Sequence, residues 1–254
     1  MKVKRKNPPS PSQFPSNPYP KPMKNLPIPR AVLFDWDGTL VDTWKAIIAA
    51  YNITRIAMGM DPWDEKTARH NIRKSWRDAF PEVFGDRWEE AGKIYREQYG
   101  AINQQHIEPM QGAFELLGWL AEHKIHTGIV SNKLGSYLRS EIEYFNWGHH
   151  FYRAVGAQDA ARDKPHPDPV ILALDGSAIV PGPAVWFVGD TGMDLQVAHA
   201  TGCTPILVNG HSLRPGEREA HPPAAEFPDL PALHAALISI MNGETITQKA
   251  GNGR

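Results

Sequence analysis

Cysteine and long apolar runs are both scarce in this sequence. A single cysteine, Cys203, occurs among the 254 residues, so no disulfide can form within the chain. Scarce cysteine is typical of proteins in a reducing compartment. No apolar run approaches the roughly 20 residues of a membrane-spanning helix, and the basic N-terminus lacks the apolar segment of a secretory signal. We therefore expect a cytoplasmic protein with no membrane partner.

An excess of either charge is also absent. Lys and Arg number 27 against 28 Asp and Glu, which leaves a net charge of -1. A balanced charge offers no general attraction to nucleic acid, so no nucleic-acid partner is expected. Hydrophobic residues make up 41% and charged residues 22%, as in an ordinary globular protein. The length suits one core domain with a smaller domain inserted into it, as a monomer or homodimer.

Both ends of the chain are polar. Residues 1–28 are rich in Pro, Ser, Lys and Asn. Such a segment buries too little apolar surface to offset the entropy lost on ordering, so a disordered tail is predicted there. Residues 243–254 form a second predicted flexible tail.

Between the tails, short apolar runs alternate with helix-like stretches. The predicted strands are Ala31–Phe34, Thr127–Val130, Tyr152–Val155 (the weakest), Ala184–Val188 and Pro205–Val208. The predicted helices are Gly112–His123, Gly135–Phe145, Pro169–Leu174 and Met193–Ala200. Continuous apolar strands that alternate with helices are typical of a parallel sheet covered on both faces. The pattern predicts an α/β core formed by residues 29–43 and 110–242.

Residues 44–109 contain no convincing strand. Helical periods run over Ala46–Met58, Glu65–Phe80 and Asp86–Asn103, with prolines expected to end the helices. The sequence therefore predicts an inserted α-helical cap domain at 44–109.

Three arginines recur every fourth residue in the second of these helices, namely Arg69, Arg73 and Arg77. That spacing predicts one basic stripe on a single helix. We expect the stripe either to face solvent or to bind a second anionic group of a substrate.

The clearest chemical signal follows the first predicted strand. The run there reads Phe34-Asp35-Trp36-Asp37-Gly38-Thr39-Leu40. In an open α/β sheet, ligands bind outside the carboxyl ends of the strands, and residues two apart on an extended chain share a face. Asp35 and Asp37 are therefore expected to face one crevice, with Gly38 allowing a sharp turn.

Polar groups also follow the later strands. Ser131 and Asn132 follow the second strand, Asp190 and Asp194 follow the fourth, and Lys164 lies in a proline-rich loop. Several acids can share one site beside a hard cation, and oxygen ligands suit Mg²⁺. A hydroxyl, an amide and a lysine can hold phosphate oxygens. The combination predicts a magnesium-dependent phosphoryl-transfer site.

Taken in this order, the four motifs resemble those of the haloacid dehalogenase superfamily. The resemblance covers roughly residues 31–210, and the helical insert lies where phosphoglycolate-phosphatase-like members carry their type 1 cap. It implies a Rossmann-like, doubly wound parallel sheet of order 5-4-1-2-3 and a phosphatase whose partner is a small phosphorylated metabolite, a phosphoglycolate-like monoester. It also implies that Asp35 attacks phosphorus and becomes an aspartyl phosphate. Asp37 would then donate a proton to the leaving alcohol and later activate water.

The same resemblance assigns roles to the other matched residues. Ser131, Asn132 and Lys164 are expected to bind the phosphate. The expected ligands of Mg²⁺ are the carboxylates of Asp35 and Asp190 and the main-chain carbonyl of Asp37, with Asp194 supporting them from behind.

Other functions share parts of this pattern. Dehalogenases of the superfamily lack the second aspartate, which Asp37 supplies here. Mutases similar to β-phosphoglucomutase carry a histidine where this chain has Ile47. A non-catalytic binding protein on the same fold would be expected to lose a motif acid or the lysine, and all are present. A phosphatase is the preferred interpretation, with a phosphomutase or a binding protein as alternatives.

Overall fold

The structure, a computed structural model, describes residues 26–72, 74–210 and 213–243. Most of the two predicted tails (residues 1–25 and 244–254) lies outside the described residues, and so does Arg73. Within the described ranges, no helix combines the length and the apolar character that crossing a membrane requires.

The strands of the described residues form two sheets. In chain order they are β1 (Ala31–Phe34), β2 (Val41–Asp42), β3 (Glu108–Pro109), β4 (His126–Leu134), β5 (Arg153–Ala157), β6 (Val185–Gly189), β7 (Thr204–Val208) and β8 (Ala225–Phe227). The large sheet has the order β5-β4-β1-β6-β7-β8 and all its neighbours are parallel. The short strands β2 and β3 pair antiparallel.

The large sheet has one strand more than predicted. The series β7-β6-β1-β4-β5 corresponds to the expected order, and β8 adds to its edge beside β7. β8 has only three residues, with Glu226 at the centre, so the sequence contains no apolar run that would predict this strand. Its pairing with Ile206–Val208 is decided by a tertiary neighbour rather than by local propensity.

Helices connect the strands and cover the sheet. They are α1 (Trp44–Ala57), α2 (Glu65–Asn71), α3 (Trp76–Phe84), α4 (Trp88–Ile102), α5 (Ala113–Glu122), α6 (Gly135–Tyr144), α7 (Asp168–Leu174), α8 (Gly192–Thr201), α9 (Glu217–Ala220) and α10 (Leu230–Met241). Parallel neighbours need crossover connections of this kind, and the predicted α/β class is confirmed.

Side chains of β1 alternate between two hydrophobic clusters, one on each face of the sheet. Val32 and Phe34 belong to the cluster that includes α5, α6 and α10, whereas Ala31 and Leu33 belong to the cluster that includes α7 and α8. Successive residues of a strand face opposite sides. A strand buried on both sides therefore has to be apolar throughout, and the sheet is doubly wound.

The helices α1, α3 and α4 share a third hydrophobic cluster that includes Tyr51, Phe80 and Ala91. Helix α4 also reaches the cluster of the sheet through Tyr99. A separate cap domain with the boundaries 44 and 109 stays a prediction.

The prediction of one helix over Glu65–Phe80 is wrong. Helix α2 ends at Asn71 and α3 begins at Trp76, with an extended backbone at Ile72 between them. Pro81, expected to end a helix, lies inside α3. A proline there removes one helical hydrogen bond. The helix continues because Phe80 and Phe84 pack against Tyr51, with ring centroids 5.4 and 6.1 Å apart.

Candidate active site

Three buried aspartates meet at the carboxyl edge of the large sheet. Asp35 follows β1, and its backbone N–H donates to the carbonyl of Val188 at 2.9 Å on the neighbouring strand β6. Asp190 follows β6, and Asp194 lies in the first turn of α8. Carboxylate oxygens of Asp35, Asp190 and Asp194 all lie within 4.8 Å of one another. The chain order of the motifs is therefore enough to bring these acids together.

Asp35 is paired with Lys164. The ammonium of Lys164 lies 2.8 Å from Asp35 Oδ1, and both side chains are buried. Burial raises the pKa of Asp35 to about 7, although Lys164 opposes the shift. Burial disfavours the charge on Lys164 as well, but Asp194 and Asp35 outweigh it and raise the pKa of the lysine. The lysine thus stays a cation beside the carboxylate.

Asp194 holds both Lys164 and the start of α8. Its Oδ1 accepts a hydrogen bond from Lys164 Nζ at 2.6 Å. Its Oδ2 accepts from the backbone N–H of Thr191 at 3.0 Å and from the hydroxyl of Thr191 at 2.6 Å, which completes a capping box. A Cβ added to Gly189 would lie 2.3 Å from Asp194, so this close approach depends on glycine.

Asn132 anchors the loop that carries Lys164. Its Oδ1 accepts from the backbone N–H of Lys164 at 3.0 Å, and its Nδ2 donates to the carbonyl of the same residue at 3.1 Å. Ser131 is buried, and its hydroxyl accepts from the backbone N–H of Lys133 at 3.2 Å. All three predicted phosphate-binding residues therefore lie in one region, and the side chain of Asn132 bonds to the main chain of Lys164.

Gly38 turns the chain away from β1 and lies against Asp190. Its φ is +81°, a conformation that favours glycine. A Cβ at this position would lie 2.7 Å from Asp190 Oδ2. The hydroxyl of Thr39 donates to Asp190 Oδ1 at 3.3 Å. The close approach of this turn to the Asp190 carboxylate therefore requires glycine at position 38.

Asp37 lies at the same edge in a more open position, with 20% of its side chain exposed. Its Oδ1 accepts from the hydroxyl of Thr43 at 2.5 Å and lies 2.8 Å from Lys133 Nζ. The carboxyl group is thus held in place by two donors.

Lys133 belongs to a buried network that the sequence did not reveal. Its Nζ lies 2.9 and 3.0 Å from the two carboxylate oxygens of Glu141, which is fully buried. Glu141 also accepts from Trp36 Nε1 and Tyr99 Oη, each at 2.7 Å. Burial disfavours the charge of Lys133, but Asp37 and Glu141 outweigh it and raise its pKa. The only signal was the position of Lys133 directly after Ser131 and Asn132.

The predicted basic stripe does not form. Arg69 on α2 bonds to Glu65 at 2.8 Å and stacks over the ring of Trp44, whereas Arg77 on α3 lies 2.8 Å from Asp163. The break between α2 and α3 puts these two arginines on different helices. Arg73 falls outside the described residues, so its proposed contact with substrate stays a prediction.

A cavity of about 130 Å³ joins the strand ends to the inserted helices. On the side of the sheet its lining includes Asp35, Asp37, Ser131, Asn132, Lys133 and Lys164. On the side of the helices it is mainly aromatic, with Trp44, Tyr51, Trp76, Phe80, Tyr95 and Tyr99. The cavity therefore has acids and lysines on one side and aromatic rings on the other.

The three buried carboxylates fit a hard divalent cation. All the ligand atoms offered are oxygens, the type that Mg²⁺ prefers. Lys164 contacts Asp35 and Asp194, so one positive charge already lies beside these carboxylates, and Gly38 keeps a side chain away from the carboxylate of Asp190.

Comparisons with known proteins agree with this geometry. A sequence model of the family described as haloacid dehalogenase-like hydrolase matches residues 32–208. The chain is 28% identical over 197 residues to an N-acetylmuramic acid 6-phosphate phosphatase from Pseudomonas aeruginosa, covering 76% of this chain and 87% of that protein. It is 30% identical over 206 residues to a phosphoglycolate phosphatase from Shigella boydii, covering 70% of this chain and 80% of that protein.

A solved structure shares the fold. A hydrolase of the haloacid dehalogenase-like family from Streptococcus pneumoniae superimposes with a TM-score of 0.72 at 23% identity. The match covers 83% of this chain and 97% of that one.

Proposed function

This chain belongs to the haloacid dehalogenase-like hydrolase family, and we propose that it is a magnesium-dependent phosphoric monoester hydrolase with Asp35 as its nucleophile. The curated relatives reported above are phosphatases. The observation that carries the proposal is the buried Asp35 at the cavity, with the ammonium of Lys164 at 2.8 Å. A carboxylate can approach a phosphate dianion only if positive charge offsets their repulsion, and Lys164 provides it.

Asp35 attacks phosphorus, and the bond between phosphorus and the leaving oxygen breaks. The product of this step is an aspartyl phosphate, which divides a reaction with a very high barrier into two easier ones. Lys164 and Ser131 line the cavity beside Asp35 and hold the phosphate oxygens. Asn132 keeps Lys164 in position through its two hydrogen bonds to the main chain.

Asp37 serves as the general acid and base. It donates a proton to the leaving alcohol in the first step. In the second it takes a proton from the water that attacks the aspartyl phosphate, so that the enzyme is regenerated. Thr43 and Lys133 hold its carboxyl group, and its partial exposure gives water access.

The residues that would hold Mg²⁺ are Asp35, Asp190 and the main-chain carbonyl of Asp37. When bound, the ion supplies positive charge to the phosphoryl oxygens. Asp194, which bonds to Lys164 and Thr191, supports this arrangement from behind.

The substrate is a small phosphomonoester. One of the relatives is named phosphoglycolate phosphatase, so phosphoglycolate is the first metabolite to test.

Substitution of the two motif aspartates tests the nucleophile. Asp35→Asn removes the attacking charge with little change in shape, and we expect turnover of p-nitrophenyl phosphate to disappear. Asp37→Asn should slow alkyl esters more than p-nitrophenyl phosphate, because p-nitrophenolate leaves without a proton. Asp61→Asn, at an exposed acid outside the cavity lining, is the control. Wild-type activity in Asp35→Asn would falsify the assignment.

Removal of the metal tests the cofactor. We expect EDTA to abolish turnover, excess Mg²⁺ to restore it, and calorimetry to detect Mg²⁺ binding to the metal-free protein. Asp190→Ala should weaken that binding more than Asp194→Ala does. Equal activity in EDTA and in Mg²⁺ would contradict the proposal.

A further inference from the structure

We propose that the leaving group of the substrate has an apolar body that packs against the aromatic wall of the cavity and a carboxylate that binds Arg96. The inference rests on the proposed phosphatase function and names the class of ester that the site selects.

Aromatic rings form the wall of the cavity opposite the strand ends. Tyr51, Phe80 and Tyr95 line it, and their ring centroids lie 5.4 to 5.9 Å apart. Rings packed against each other in this way resist rearrangement. The cavity volume of about 130 Å³ is near that of an engineered cavity of roughly 150 Å³ that holds benzene. Because the phosphate takes part of this volume, the apolar body is no larger than about one six-membered ring.

Of the residues that the structure describes, four cations line the same cavity, and three of them have carboxylate partners. Lys164 is paired with Asp35 and Asp194, Lys133 with Asp37 and Glu141, and Lys74 with Glu82. Among the described residues, Arg96 of α4 has no carboxylate within ion-pair distance.

The side chain of Arg96 is held by stacking instead. Its guanidinium carbon lies 4.6 Å from the ring centre of Trp76, which also lines the cavity. Stacking uses the face of the guanidinium and leaves its edge N–H groups available. A carboxylate matches that edge with two parallel hydrogen bonds, and its single charge balances that of Arg96. Within the described ranges, the inserted helices contribute no acid to the cavity lining that could compete.

The test measures kcat/KM for 4-carboxyphenyl phosphate and phenyl phosphate with wild type, Arg96→Gln and Lys93→Gln. Lys93 lies on the same helix, is exposed, and is not part of the lining, so Lys93→Gln controls for the lost charge. Both esters are measured on one preparation, so any unfolded fraction cancels in their ratio. Loss of hydrogen bonds between two charged groups corresponds to an affinity that is lower by about 10- to 100-fold.

We expect Arg96→Gln to lower kcat/KM for the carboxylated ester about 10- to 100-fold more than for phenyl phosphate, mainly through KM. Lys93→Gln should leave the ratio of the two esters unchanged. The product 4-hydroxybenzoate should inhibit wild type more tightly than either phenol or glycolate. In Arg96→Gln, 4-hydroxybenzoate should inhibit no more tightly than phenol.

Two outcomes overturn the inference while the phosphatase function stands. One is an equal effect of Arg96→Gln on both esters, and the other is inhibition by glycolate as tight as that by 4-hydroxybenzoate. Failure of wild type to hydrolyse any ester would overturn the proposed function and this inference together.

Discussion

Replacement of Lys133 by methionine should destabilise the protein more than any surface substitution. Methionine matches the lysine side chain as far as Cε, and the change removes the ammonium that lies 2.8 Å from Asp37 and 2.9 Å from Glu141. Asp37 is partly exposed and can be hydrated. Glu141 is fully buried, so in Lys133→Met its charge would be left without a cation.

Breaking a buried ion pair from one side costs about 3–5 kcal/mol. Trp36 and Tyr99 still donate to Glu141, so we expect a loss near the lower value, about 3 kcal/mol. The pKa of Lys133 is raised in the folded protein. A raised lysine pKa gives stability that is fully present below the unfolded value near 10.4 and is lost only as pH rises through the folded value. The effect should therefore be fully present at neutral pH.

Urea unfolding of wild type, Lys133→Met, Glu141→Gln and the double variant measures this. Glu141→Gln keeps an acceptor for Trp36 and removes the charge. Because the two residues are in contact, the double variant should lose about 1–3 kcal/mol less than the sum of the single losses. Additive losses, or a loss below about 1 kcal/mol in Lys133→Met, would refute the assignment of a coupled buried pair.

Two further predictions concern Gly38 and Cys203. Gly38→Ala should abolish phosphatase activity and lower the free energy of unfolding by about 1–3 kcal/mol. Gly59→Ala should lower stability alone, because its φ is similar at +77° but nothing lies within 4 Å of an added Cβ. Similar activity in both variants would contradict the role of the close contact between Gly38 and Asp190. Cys203 is buried, and burial raises the pKa of its thiol, so alkylation by iodoacetamide should be slow in native protein and fast in urea. Fast labelling of the native protein would argue against this packing.

The positions of Asp35 and Asp190 could be predicted from chain order. Parallel strands place their carboxyl ends at one edge of a sheet, so a residue that directly follows β1 lies near one that directly follows β6. The strands themselves could be predicted from their apolar runs, because a strand buried on both faces has to be apolar throughout.

Local sequence misled where packing over long distance decided the outcome. The spacing of Arg69 and Arg77 favours one helix, but the helix is interrupted between α2 and α3. Phe80 and Phe84 of α3 pack against Tyr51. A helical period shows that a segment is compatible with a helix. It does not show where the packing of aromatic side chains interrupts that helix.

The sequence by itself determined the α/β class and the acids at the strand ends, because both follow from short-range pattern and chain order. Only the tertiary structure decided that Lys133 lies between Asp37 and Glu141, and that Arg96 lines the cavity without a carboxylate partner among the described residues. Buried charges have to be paired across elements that are distant in sequence. Such pairing depends on where the helices finally pack, which no local pattern records.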